Sequence, residues 1–216
     1  MSTAARPGVT PRSRFSASTP AGTRARSAAA IAVPSMIVAA GMTLLGTLVV
    51  ARFSTVDRNG RPVTTTDYGS IYRGVGTDGD TRAAIEPLAP PERPAGGQPR
   101  WTETVAVASR AAHVYAECAR IWNPIHTDVA VARAAGLPDP ILHGSATLAL
   151  AVSQVIRRDL DGDPARVRAI AVRFTGMVAM PSSFRARGLG RAGDALAFDA
   201  IDERGEPVLS DGVLRV

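Results

Sequence analysis

The chain has 216 residues, 45% of them hydrophobic, enough for one well-buried domain with extra structure but not comfortably for two full domains. Its single cysteine, Cys118, excludes an intrachain disulfide framework and a cysteine-built metal cluster, and it fits a reducing, cytoplasmic setting. The net charge of +6 argues for nucleic acid only until it is located: residues 1–56 hold six arginines and no acid, leaving 19 basic against 19 acidic residues in the remainder. A nucleic-acid binder gathers its basic charge on a folded face with stacking aromatics. Here the excess lies in a Ser/Ala/Pro-rich arm and aromatics make up 5%, so nucleic acid is set aside as a partner.

Residues 1–45 read as a disordered basic arm followed by an apolar segment. An acid-free, arginine-studded leader has the composition of a transit peptide, but an upstream start or the remnant of a lost domain explains it as plainly. The uncharged run 27–51 is long enough to cross a bilayer, with Arg24 and Arg26 on its cytoplasmic side. Its alanine content, Pro34, Gly41 and Gly46 argue against that, and its end merges into a hairpin pattern. Thr47–Val56 is β-branched, Asp57-Arg-Asn-Gly60 is a turn signal, and 62–66 resumes extended chain. Segment 46–85 is therefore expected to hold two or three strands, which need a partner sheet. Segment 86–99 is a Pro/Gly linker and the clearest boundary in the chain.

From residue 100 to 216 the pattern is orderly. A strand over 102–107 precedes a helix for which Ser109 is the expected cap. Asp128 is placed to cap a short helix ended by Gly136. Ser145–Arg158 is apolar on most faces, as a buried helix is. Strands are expected over 167–174, 183–189, 195–201 and 208–216, with a hairpin turn at Asp202–Gly205. One buried helix followed by consecutive antiparallel strands makes an α+β domain, a helix wrapped by a curved sheet.

Two of the three histidines stand in distinctive loops, His126 after Asn123-Pro-Ile and His143 before Gly144. A loop histidine on a rigid scaffold suits acid/base work, although a structural histidine bonded to a carbonyl is the commoner case. Gly144 opens the buried helix, where the first amides lack intrahelical partners and sit at the positive end of the dipole. A glycine there lets a ligand oxygen approach those amides, or else it serves only a tight turn.

Tyr115-Ala-Glu-Cys-Ala-Arg-Ile-Trp-Asn-Pro-Ile-His-Thr-Asp128 and Gly136-Leu-Pro-Asp-Pro-Ile-Leu-His-Gly144 together resemble the signature of MaoC-like proteins, the R-specific enoyl-CoA hydratases (hydratase 2). The resemblance covers about 115 residues after the linker and implies a hot-dog fold; 49–75 resembles the closing strands of a first, partial hot-dog repeat. It also implies reversible hydration of a trans-2-enoyl thioester to the (3R)-3-hydroxyacyl thioester, a lyase reaction of fatty acid metabolism. The substrate would be carried on coenzyme A or acyl carrier protein, with no metal or other cofactor. By position, His126 and Asn123 take the catalytic roles, and Gly144 with His143 the thioester-binding ones.

The family's catalytic Asp falls at Ile121. Loss of one member of an acid/base pair costs factors of roughly 10²–10⁴. Two readings stay open: an impaired hydratase or dehydratase, and a non-catalytic acyl-thioester-binding subunit of a heteromer. Glu117, four residues before Ile121, would share its helical face as a substitute carboxylate if the helix ran on, although a solvated glutamate is the plainer reading. Trp122 and Tyr115 are expected to be packing residues. A dimer, with itself or a related hot-dog chain, is expected to cover sheet edges.

Overall fold

The structure, a computed structural model, describes residues 13–18 and 35–216. Five strands come from the part before the linker: β1 (Ser13–Ser18), β2 (Ser35–Thr43), β3 (Gly46–Val56), β4 (Pro62–Arg73) and the short β5 (Arg82–Ala83). β-Branched residues fill β3 and β4, which pair antiparallel as the hairpin pattern predicts. The turn between them is built by Asp57, whose Oδ1 accepts from the amides of Asn59 and Arg61 at 2.8 and 2.9 Å, and by Gly60 at φ +74°.

Two expectations for residues 1–45 need correction. Ser13–Ser18 is a strand, and residues 35–43 pair with β3 through a bulge between Ile37 and Ala39. The run read as an apolar segment, with a membrane helix as its alternative, is thus a hairpin from residue 35 onward; its backbone bonds to neighbouring strands and it buries Val38 and Val50. No helix among the described residues is long and apolar enough to cross a membrane. The rest of the expected basic arm lies outside the described residues.

After the linker come β6 (Trp101–Val107), α1 (Ala111–Ala119), α2 (Val129–Ala134), α3 (Gly144–Asp159), β7 (Ala169–Phe174), β8 (Ser182–Ala192), β9 (Ala195–Asp202) and β10 (Pro207–Arg215). This is the expected α+β order, one long helix followed by antiparallel strands. Ala146, Leu148, Ala151, Val152 and Val155 of α3 pack into a core with Phe184, Phe198, Leu196, Leu209 and Leu214 from the strands. The far end of α3 is anchored to β6: Trp101 Nε1 donates to Asp159 at 2.9 Å, and the Trp101 ring lies over Gly188 of β8. A Cβ at Gly188 would stand 2.3 Å from that ring, so the anchor requires a glycine there.

The ten strands among the described residues form one sheet, in the order β5-β2-β3-β4-β1-β7-β10-β9-β8-β6. The partial N-terminal repeat is joined to the main domain through β1, which pairs with β4 on one side and β7 on the other. The linker is likewise no loose spacer. It has no helix or strand over 86–99, but Leu88 N donates to Asp67 at 2.7 Å, and Arg52 donates to Glu86 O at 3.0 Å. Asp67 and Arg52 face each other across β3 and β4 in a bidentate pair with both bonds at 2.7 Å. Burial alone would raise the Asp67 carboxyl, but the bonds from Arg52 and Leu88 outweigh it and hold the group below the usual carboxylate range.

Candidate functional site

The site forms where two loops meet the start of α3. Asn123 caps a short 3-10 turn over Pro124–His126, its side chain accepting from Ile125 N, and Pro124 fits the first turn because it has no amide to satisfy. Asp128 caps α2 as expected, accepting from Val131 N at 3.0 Å. In α1 the N-cap position instead falls on Arg110, whose side chain makes no capping bond, so Ser109 does not take that role. It also ends early, with Arg120 in the left-handed region at φ 54°. Ile121 therefore leaves the helix and does not share a face with Glu117. That carboxylate accepts from Trp122 Nε1 at 3.2 Å and does not line the cavity described below, so it does not replace the missing Asp.

His126 and His143 stack, with ring centroids 3.7 Å apart and planes 25° from parallel. Tyr115 packs on the other ring, 5.0 Å from His143, as a packing residue should, whereas Trp122 is 65% exposed and does not pack. His126 Nδ1 donates to the Ile141 carbonyl at 2.8 Å, which leaves the lone pair on Nε2. His143 Nε2 bonds the Ile121 carbonyl at 3.3 Å, and its Nδ1 is buried without a partner. Burial pushes the pKa of His126 below the ordinary histidine value against the pull of the Ile141 carbonyl. Burial, and after it the neighbouring charge of His126, pushes His143 down as well, with the Ile121 carbonyl opposing.

These residues open onto a cavity of about 900 Å³. Asn123, His126, His143 and Gly144, all four predicted site residues, line it together with Ile121. Its long wall is the α3 face bearing Leu148, Val152 and Ile156, opposed by Ile170 and Phe174 of β7. No Asp or Glu lines it among the described residues. Gly144 presents the first amide of α3, with the Phe174 ring beside it: a Cβ on Gly144 would stand 3.2 Å from Cδ1 of that ring.

Residues 91–195 match the family model of the MaoC like domain. The chain carries a MaoC-like domain. Over 166 residues it is 30% identical to peroxisomal multifunctional enzyme type 2 of Drosophila melanogaster, covering 76% of this chain and 27% of that protein. Over 131 residues it is 29% identical to a probable enoyl-CoA hydratase 2 of Dictyostelium discoideum, covering 60% of this chain and 44% of that one. The chain thus spans less than half the length of these relatives. A MaoC-like dehydratase from Phytophthora capsici shares the fold at TM-score 0.77 and 21% identity, covering 94% of this chain and 70% of that chain. The fold is therefore the hot-dog fold, and the match takes in strands on both sides of the linker.

Sequence reasoning did not single out the apolar lining, and one lining residue comes from outside the main domain. Tyr68 of β4 reaches the MaoC-like cavity from the N-terminal strands, and its position in the chain gave no signal of this. The crossed bonding of the two histidines was also invisible, because it depends on loop paths that no local pattern encodes.

Proposed function

We propose that the MaoC-like domain binds an acyl thioester with its carbonyl oxygen at the Gly144 amide, and hydrates a trans-2-enoyl thioester or reverses that reaction. A water hydrogen passes to His126 Nε2 while the water oxygen bonds C3. The α3 amides and the positive end of the helix hold the enolate oxygen, and the imidazolium then returns the proton to C2. Asn123 keeps the loop in shape by capping the turn that carries His126. The observation that carries this reading is an imidazole whose Nδ1 is held by the Ile141 carbonyl, so that Nε2 is left for a ligand, in the same cavity as the uncapped first amide of a buried helix. The reaction needs no metal or redox cofactor, and coenzyme A or acyl carrier protein carries the acyl group.

Ile121 favours a second reading: a subunit that binds the thioester and turns over only beside a related hot-dog chain. Among the described residues the site holds two stacked imidazoles and no carboxylate to orient the water. Hydration of crotonyl-CoA by the wild type, His126→Ala and Ile121→Asp separates the two. Wild-type turnover abolished in His126→Ala supports the hydratase. Binding without wild-type turnover, with a gain of about 100-fold or more in Ile121→Asp, supports the subunit reading. No thioester binding by any of the three would refute both.

A further inference from the structure

His143 occupies the N-cap of α3, a position where Ser, Thr, Asn or Asp ordinarily accepts a bond from a first-turn amide. Its side chain makes no such bond. A capping oxygen would occupy the very amides that a ligand carbonyl needs, so leaving the cap empty keeps the end of α3 open. The ring is not idle for that. It is 3% exposed, packed between Tyr115 and His126, with Nε2 on the Ile121 carbonyl.

The two histidines tie their loops together reciprocally. His126 bonds the carbonyl of Ile141, two residues before His143, and His143 bonds the carbonyl of Ile121, five residues before His126. The ring stack closes this crossed clamp. Few side chains meet all three demands at this position. A phenyl ring would stack but not donate, an amide would donate but not stack, and a short hydroxyl or carboxyl would take the helix amides.

We propose that His143 is a positioning residue: it seats His126 by stacking and fixes the Ile121 carbonyl, so that His126 keeps its proton on Nδ1 and its lone pair on Nε2. This rests on the reading of His126 as the base. The groups facing His143 are the imidazole of His126, the Tyr115 ring and the Ile121 peptide. Protonating both imidazoles would stack two cations 3.7 Å apart, so the stack holds without repulsion only while at least one of them is neutral.

The test uses the full chain, whose three histidines make ring ¹⁵N signals assignable by single substitution. Long-range ¹H–¹⁵N spectra of wild type, His143→Phe and His143→Gln report the His126 tautomer, and crotonyl-CoA kinetics run beside them. The expected wild-type result is a dominant Nδ1–H tautomer. The expected result for both variants is a mixed tautomer, with kcat down about 10- to 100-fold and KM little changed. His143→Gln, which restores the donor, should lie closer to wild type. An unchanged His126 tautomer in either folded variant would overturn the proposal. Absent wild-type turnover with the tautomer shift still present would support the positioning role while counting against the hydratase reading, so the two failures are distinguishable.

Discussion

Replacing Gly144 with alanine tests the site where structure and chemistry make different demands. The added Cβ would stand 3.2 and 3.3 Å from Cδ1 and Cε1 of Phe174, against about 3.5–4.0 Å for a relaxed carbon contact. The ring has to yield by a few tenths of an ångström, and Phe174 is only partly buried at the margin of the core. Against that strain stands the better helix propensity of alanine, up to about 1 kcal/mol in a helix interior and less in a first turn. Net stability should stay within about 1 kcal/mol, a Tm change of about 4 °C or less for a chain of this size. Function has no such compensation on the proposed reading, because the methyl stands beside the amide proposed to receive the thioester oxygen and hinders its approach. Loss of one oxyanion donor costs about 10²–10³ in rate, or about 2.7–4 kcal/mol. The assay is kcat/KM for crotonyl-CoA hydration with Tm measured in parallel, in the wild type or in the Ile121→Asp background if turnover requires it. A folded variant within about threefold of its parent would refute the placement of the thioester at this amide.

Two further outcomes follow from other parts of the molecule. Asp67→Ala strands a guanidinium that is 17% exposed and frees the Leu88 amide; thermal unfolding should show a loss of about 3 kcal/mol, and a change under about 0.5 kcal/mol would show that the pair does not hold the linker. Both site histidines have folded pKa values below the ordinary 6.5, so the unfolded chain binds more protons as the pH falls. Their contribution to stability is fully present above about pH 6.5 and is lost below it as the pH falls through the folded values. Urea unfolding at pH 7.5 and 5.5 checks this, since carboxylates such as Asp67 and Asp194 act only below their ordinary 3.8. A flat response over that interval, or an identical one in His143→Gln, would contradict the burial argument.

Much of the fold was legible because its signals are local. The periodicity of α3, the Asp128 cap, the Gly136 stop and the turns at Asp57–Gly60 and Asp202–Gly205 all depend on residues within a few positions of one another. The candidate site was legible as a set of residues through the matched motifs, and all four converge on one cavity. What escaped was non-local. Residues 35–43 interrupt their β-branched Ile37, Val38 and Thr43 with Ala39, Ala40 and Gly41, a mixed local signal that the pairing with β3 settles as a strand. The same holds for Ser13–Ser18, whose two partners lie about 50 and 155 residues further along. The linker was read as a spacer from its prolines, yet the Arg52–Asp67 pair, which sequence alone does not bring together, straps it down. Rescue of Ile121 by Glu117 was the less favoured sequence reading, and a left-handed Arg120 that turns the chain out of α1 closes it geometrically.

The strand β1 has a consequence for how this molecule tolerates trimming. It is a keystone: among the described residues, these six supply the hydrogen-bonded seam between β4 and β7. Cut the chain behind it and two long rows of unmet amides and carbonyls face each other with nothing between them. Each would then be free to recruit whatever extended chain is nearby, including another copy's. Within the arginine-rich beginning, Ser13–Ser18 is therefore a piece whose removal would open the facing edges of β4 and β7 to pairing with other chains.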